Sequence, residues 1–153
     1  MKKRVTAKKS LEVDASLIGV VSQLPDYRLA HFINKHTDCR LVKEADLVMG
    51  AETPGEGARY PFFIGHNQDY GFDMCMVANR FADMPLLIPG LRNIDYLMLL
   101  FELTPQYDLN ALIKSIREIP RVILVQGMER PKGAEACLAA IELHITRIKM
   151  EDS

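Results

Sequence analysis

The spacing of apolar positions changes period twice along this 153-residue chain. Leu17, Ile18, Val20, Val21 and Leu24 recur at helical spacing, and the same residues also fit a short strand. After Pro25, the residues Leu29, Ala30, Phe32 and Ile33 form the stripe of a helix running from about Asp26 to His36, with Asp26 expected as its N-cap. Residues 40–49 predict a strand, followed by the flexible loop Pro54-Gly55-Glu56-Gly57. Tyr60, Phe62 and Ile64 then recur at every second position. Phe72, Met74, Met76 and Ala78 do the same further on, as in a half-buried strand. The polar stretch His66 to Gly71 lies between these two runs and predicts the turn of a hairpin.

From Tyr96 to Phe101 the alternation disappears, the pattern of a central strand covered on both faces. Leu109, Leu112, Ile113 and Ile116 predict an amphipathic helix that starts near Asp108 and stops before Pro120. Val122 to Val125 reads as a second buried strand. Leu138, Ile141, Ile145 and Ile148 stripe a long helix from about Gly133. A helix between two buried strands implies a right-handed crossover between parallel strands. The expected fold is therefore α+β, a mixed sheet with an antiparallel middle region, a β-α-β unit and helices packed on the sheet. The order strand–helix–strand is similar to half of a ferredoxin-like or ACT-type domain, a likeness of fold that assigns no ligand.

With 48% apolar residues the chain can bury a core without staples, and its length fits one domain over residues 11–150 behind a flexible basic arm over 1–10. The net charge of −1 hides an asymmetry. Lys2, Lys3, Arg4, Lys8 and Lys9 precede the first acid, so the fourteen remaining bases face twenty acids and residues 10–153 carry about −6. Such an arm suits a solvated terminus, or a contact with nucleic acid or a phospholipid surface. Val5-Thr6-Ala7 is too short for the apolar region of a signal peptide, and no stretch approaches the length of a membrane span. Cys39, Cys75 and Cys137 are odd in number and form no C-x-x-C pair, which points to unpaired thiols in a reducing, cytoplasmic setting.

Candidate chemistry is sparse. The chain has no G-x-S-x-G and no phosphate-binding loop, and Gly50, Gly55, Gly57 and Gly65 form no dinucleotide fingerprint. No His/Cys/carboxylate spacing argues for zinc, and His31 and His36 stand five apart on one helix, too far around it to share a metal. Cys75, between Met74 and Met76, reads as a buried inert thiol. The densest polar group is His66, Asn67, Asp69 and Tyr70 at the hairpin turn, where binding or plain turn chemistry would use the same residues. Asp26 and Arg28 could form a charged patch or a surface ion pair.

The phrase Ile88-Pro89-Gly90-Leu91-Arg92-Asn93-Ile94-Asp95-Tyr96, with Asp26-Tyr27-Arg28-Leu29, Ile33-Asn34, the run Val77 to Arg80 and Ile119-Pro120, resembles the IPExxxVDY family, small proteins known mainly from Bacteroidota. The likeness spans about residues 11–128 and implies a shared fold, with no established activity attached. Gly90 stands where the motif has Glu, and the helix after residue 132 departs from the family's usual tail. Pro89-Gly90 suits the centre of a type II turn, and Pro85 and Pro89 restrict Leu86-Leu87-Ile88 to a short or edge strand. Asp95 and Tyr96 are then either anchors of this turn or a functional pair.

These readings favour a non-catalytic protein-interaction or self-assembly module that needs no cofactor or metal, with an unidentified protein or a second copy as partner and no membrane. One alternative is a small-ligand sensor of ACT type. Another is an RNA-binding protein using the basic arm.

Overall fold

The computed structural model describes residues 15–50, 53 and 55–151. The basic arm with Lys2, Lys3, Arg4, Lys8 and Lys9, and Pro54 of the glycine-rich loop, lie outside the described residues. Six strands, β1 (Ala15–Ser22), β2 (Val42–Met49), β3 (Ala58–Asn67), β4 (Phe72–Ala78), β5 (Tyr96–Phe101) and β6 (Val122–Met128), form one sheet in the order β2-β3-β4-β5-β1-β6. Three helices, α1 (Asp26–His36), α2 (Leu109–Arg117) and α3 (Glu135–Glu151), pack against it. The fold class is α+β.

The sheet is antiparallel at every pairing, where a parallel pair was expected. The crossover β5-α2-β6 does join two strands of the same direction, but β1 lies between them. Leu17 faces Leu99 on one side and Met128 on the other. Within the sheet, β1-α1 and β4-β5-α2-β6 have the order β4-β5-β1-β6, the split β-α-β arrangement of ferredoxin-like folds. The hairpin β2-β3 extends this core at one edge.

Burial on both faces explains the sequence patterns. Met98 and Leu100 of β5 point into a core with Ile18, Val20, Met74, Met76, Leu29 and Ile33 of α1, and Leu112 and Ile116 of α2. Leu97 and Leu99 point the other way, against Phe62, Cys75, Val77 and the α3 residues Leu138, Ile141 and Ile145. β1 likewise sends Ile18 and Val20 to one core and Leu17 to the other, so its apolar run lacks period 2 and mimics a helix. Each fully buried Ile or Leu of these strands contributes on the order of 1.5–3 kcal/mol. β4 is covered on both faces too, not on one.

Two local expectations change. Asp26 is the first residue of α1 rather than its cap. Pro25 occupies the cap position without a side-chain bond, leaving Asp26 to complement the helix dipole. Asp108 does cap α2, its Oδ1 accepting from the Ala111 N–H at 3.0 Å. β6 is an edge strand rather than a buried one: Val125 is fully buried, while Ile123 and Leu124 are 66% and 42% exposed.

Candidate functional site

The motif segment 79–95 folds as a loop fastened to the sheet, with no strand at Leu86-Leu87-Ile88. Asn79, fully buried, holds it. Its Nδ2 donates to the carbonyls of Leu91 and Ile94, both at 2.9 Å, and its Oδ1 accepts from Ile88 N–H at 2.8 Å. The Leu91 N–H donates to Ile88 O at 3.0 Å, closing a turn with Pro89-Gly90 at its centre. Gly90 lies outside the left-handed region, so this is not the type II turn that the dipeptide suggested. A Cβ at Gly90 would meet nothing within 4 Å, so the turn has room for a larger residue there.

Asp95 and Tyr96 follow at the start of β5. Asp95 Oδ2 accepts from Ser22 N–H at 2.9 Å, its Oδ1 lies 3.4 Å from Arg80 Nε, and its own N–H donates to Val20 O. The Tyr96 hydroxyl donates to Leu24 O at 2.6 Å. Burial first, and then Asp26 and Asp95 nearby, push this phenol well above its ordinary value, so it stays a donor. Both side chains direct their hydrogen bonds to the chain's own backbone.

The remaining sequence candidates do not form one cluster. Asp26 lies 3.8 Å from Lys43, and Arg28 stacks over Phe32 at 5.7 Å from the ring centre. His66 Nδ1 lies 2.8 Å from Asp73 Oδ1, and Lys149 of α3 holds the other carboxylate oxygen. Burial opposes ionisation of Asp73, but its bonds to Lys149 and His66 outweigh that and hold its pKa low. Asp69 is exposed at the turn.

Asn67 takes a different path. Although it sits in the polar turn, it is only 1% exposed. Its Oδ1 accepts from Tyr70 N–H at 2.9 Å, and its Nδ2 donates to Asp38 Oδ2 at 2.7 Å. The β3–β4 turn is thereby tied to the segment after α1. Gly65 permits this approach, since a Cβ there would lie 2.6 Å from Cys39 O. Next to this junction, a cleft of about 200 Å³ is lined by Thr37, Asp38, Tyr70, Tyr107, Asp108 and Ala111. Tyr107 meets Tyr70 and Phe72 edge to face, with centroids 5.1 and 4.8 Å apart. Asp38 and Tyr107 escaped sequence reasoning, because neither belongs to a local motif.

The two sheet edges differ. β2 is guarded: Lys43 bonds Asp46 and lies over Phe63, the register shifts between Glu44 and Leu47, and His144 of α3 bonds Ala45 O at 2.8 Å. β6 has no charged residue or proline from Val122 to Met128. Val20 directs its carbonyl to Asp95 on the β5 side, so Val125 opposite it directs its backbone groups away from β1, although the residue is covered and 0% exposed. There Arg117 Nη2 of α2 donates to Val125 O at 3.1 Å.

Among the described residues no group of three or more His, Cys, Asp or Glu could hold a metal ion, and no helix is long and apolar enough to cross a membrane. No protein-family model, curated protein or solved structure matches the chain.

Proposed function

We propose that this protein is a non-catalytic cytoplasmic assembly module whose β6 edge pairs antiparallel with β6 of a second copy. The observation that carries this reading is the contrast in side chains between the edges: β2 bears Lys43, Glu44 and Asp46, whereas β6, although its register with β1 also shifts and Arg117 of α2 reaches its Val125 carbonyl, is an uncharged strand with Ile123 and Leu124 exposed. Natural sheets blunt free edges to avoid pairing, and an unblunted one is a template for another strand. A two-fold axis at Val125 brings Arg121 of one copy, at the turn into β6, towards Glu129 of the other, so the charges flanking the apolar stretch are self-complementary. In the separate chain Arg117 occupies the Val125 carbonyl. Pairing transfers that carbonyl to the partner's N–H. Membership of the IPExxxVDY family belongs to the same proposal and rests on the motif residues in the sequence.

Sedimentation of the full chain over a range of concentrations tests the assembly. We expect a dimer that Glu129→Arg weakens and that the double change Arg121→Glu with Glu129→Arg restores. Arg117→Ala should strengthen it by freeing the edge carbonyl. A monomer at every concentration, or a dimer indifferent to both charge changes, overturns the reading.

A further inference from the structure

The cleft between the C-terminal end of α1, the β3–β4 turn and the first turn of α2 has a chemistry that β6 assembly does not use. Its walls combine two tyrosines with two carboxylates, Asp38 and Asp108, and no basic side chain lines it. Each carboxylate uses one oxygen structurally, Asp38 for Asn67 and Asp108 for the α2 cap. Among the described residues the second oxygen of each makes no hydrogen bond. Asn67 fixes both Asp38 and the Tyr70 backbone, and Phe72 and Tyr70 brace the Tyr107 ring. The walls are therefore set before any ligand arrives.

We infer that this cleft binds a small organic ammonium ion, with the cation against the Tyr70 and Tyr107 rings and Asp38 and Asp108 supplying the counter-charge. Aromatic faces attract cations through the ring quadrupole, and a trimethylammonium group, weakly hydrated, loses little on leaving water. The C-terminal end of α1 adds negative potential beside Thr37, offset in part by Lys35 and His36 of its last turn. The N-terminal end of α2 would favour an anion, but Asp108 already caps it. A volume of about 200 Å³ lies below the usual range for drug-sized ligands, which selects a compact head group and excludes a nucleotide. The excess of acids over bases beyond the arm draws cations to the body as a whole.

Choline and its uncharged carbon isostere, in which a tert-butyl group replaces trimethylammonium, form a matched pair of probes for calorimetric titration of the full chain. Choline should bind saturably, and the isostere at least about tenfold more weakly. Tyr70→Ala and Asp38→Asn should each weaken choline by roughly five- to tenfold, while Tyr70→Phe keeps the ring and the affinity. Tyr70 is 42% exposed, and Asn at position 38 retains an oxygen for Asn67, so both variants keep the fold, which circular dichroism checks. Absence of saturable choline binding, equal affinity for the isostere, or unchanged affinity in both weakening variants overturns the inference. None of these outcomes depends on whether β6 pairs.

Discussion

The Tyr96 hydroxyl and the Leu24 carbonyl meet at 2.6 Å across 72 positions of sequence, joining the start of the central strand β5 to the turn that leads from β1 into α1. Tyr96 is a strut from β5 to the β1–α1 connection, and Asp95 beside it makes a second one to Ser22 at the end of β1.

Replacing Tyr96 by Phe keeps the ring in the core and leaves the Leu24 carbonyl without its donor. We expect a loss of about 1–2 kcal/mol in urea unfolding. Choline affinity and sedimentation should be unchanged. A stable variant with altered binding would instead make Tyr96 part of an interaction surface.

Within the motif loop, neighbouring positions should differ sharply. Asn79→Ala strands one buried carbonyl, one part-buried carbonyl and one buried N–H, so it should cost about 3 kcal/mol. Gly90→Ala meets no atom and requires no left-handed φ. It should leave stability unchanged or raise it by up to about 1 kcal/mol by restricting the unfolded chain. Equal destabilisation in the two variants would disprove the turn geometry described above.

The thiols predict an alkaline limit to stability. Burial pushes Cys39 and Cys137 from their ordinary value of 9.0 up to about 11, and pushes Cys75, fully buried, higher still. The folded state therefore holds these protons more tightly than the unfolded one. The stabilisation is complete below about 9 and is lost as pH rises towards about 11, on the order of 2 kcal/mol for each thiol once ionised. Urea midpoints should fall across that window. At neutral pH a thiol-specific disulfide reagent should react only on unfolding, and rapid labelling of native protein would contradict the burial.

Much of the local structure was legible in the chain because it depends on neighbours in sequence. The α2 stripe with its Asp108 cap and the hairpin around Asn67 each follow from spacing within a dozen residues. β1 was ambiguous because residues that fill cores on both faces leave no period to detect. β6 was misjudged for a related reason. Val122 to Val125 is as apolar as a central strand, yet β1 takes the place beside β5 and leaves β6 at the edge.

The polar residues show the same division. His66, Asn67 and Asp69 are neighbours in sequence, but one bonds Asp73 in the facing strand, one turns inward to Asp38 and one meets solvent. Alternation along a strand sends successive side chains to opposite faces, so adjacency in sequence separates them in space.

By itself, the sequence determined the three helices, most of the strands, the α+β class and the supply of apolar residues for two cores, because periodicity and capping act over a few residues. Tertiary structure alone decided that β1 separates β5 from β6, that Asp38 joins Tyr70 and Tyr107, and that the uncharged strand β6 lies at a sheet edge. Strand order and register follow from burial summed over the whole sheet, and bonds such as Ser22 to Asp95, 73 positions apart, exist only once that sum has been made.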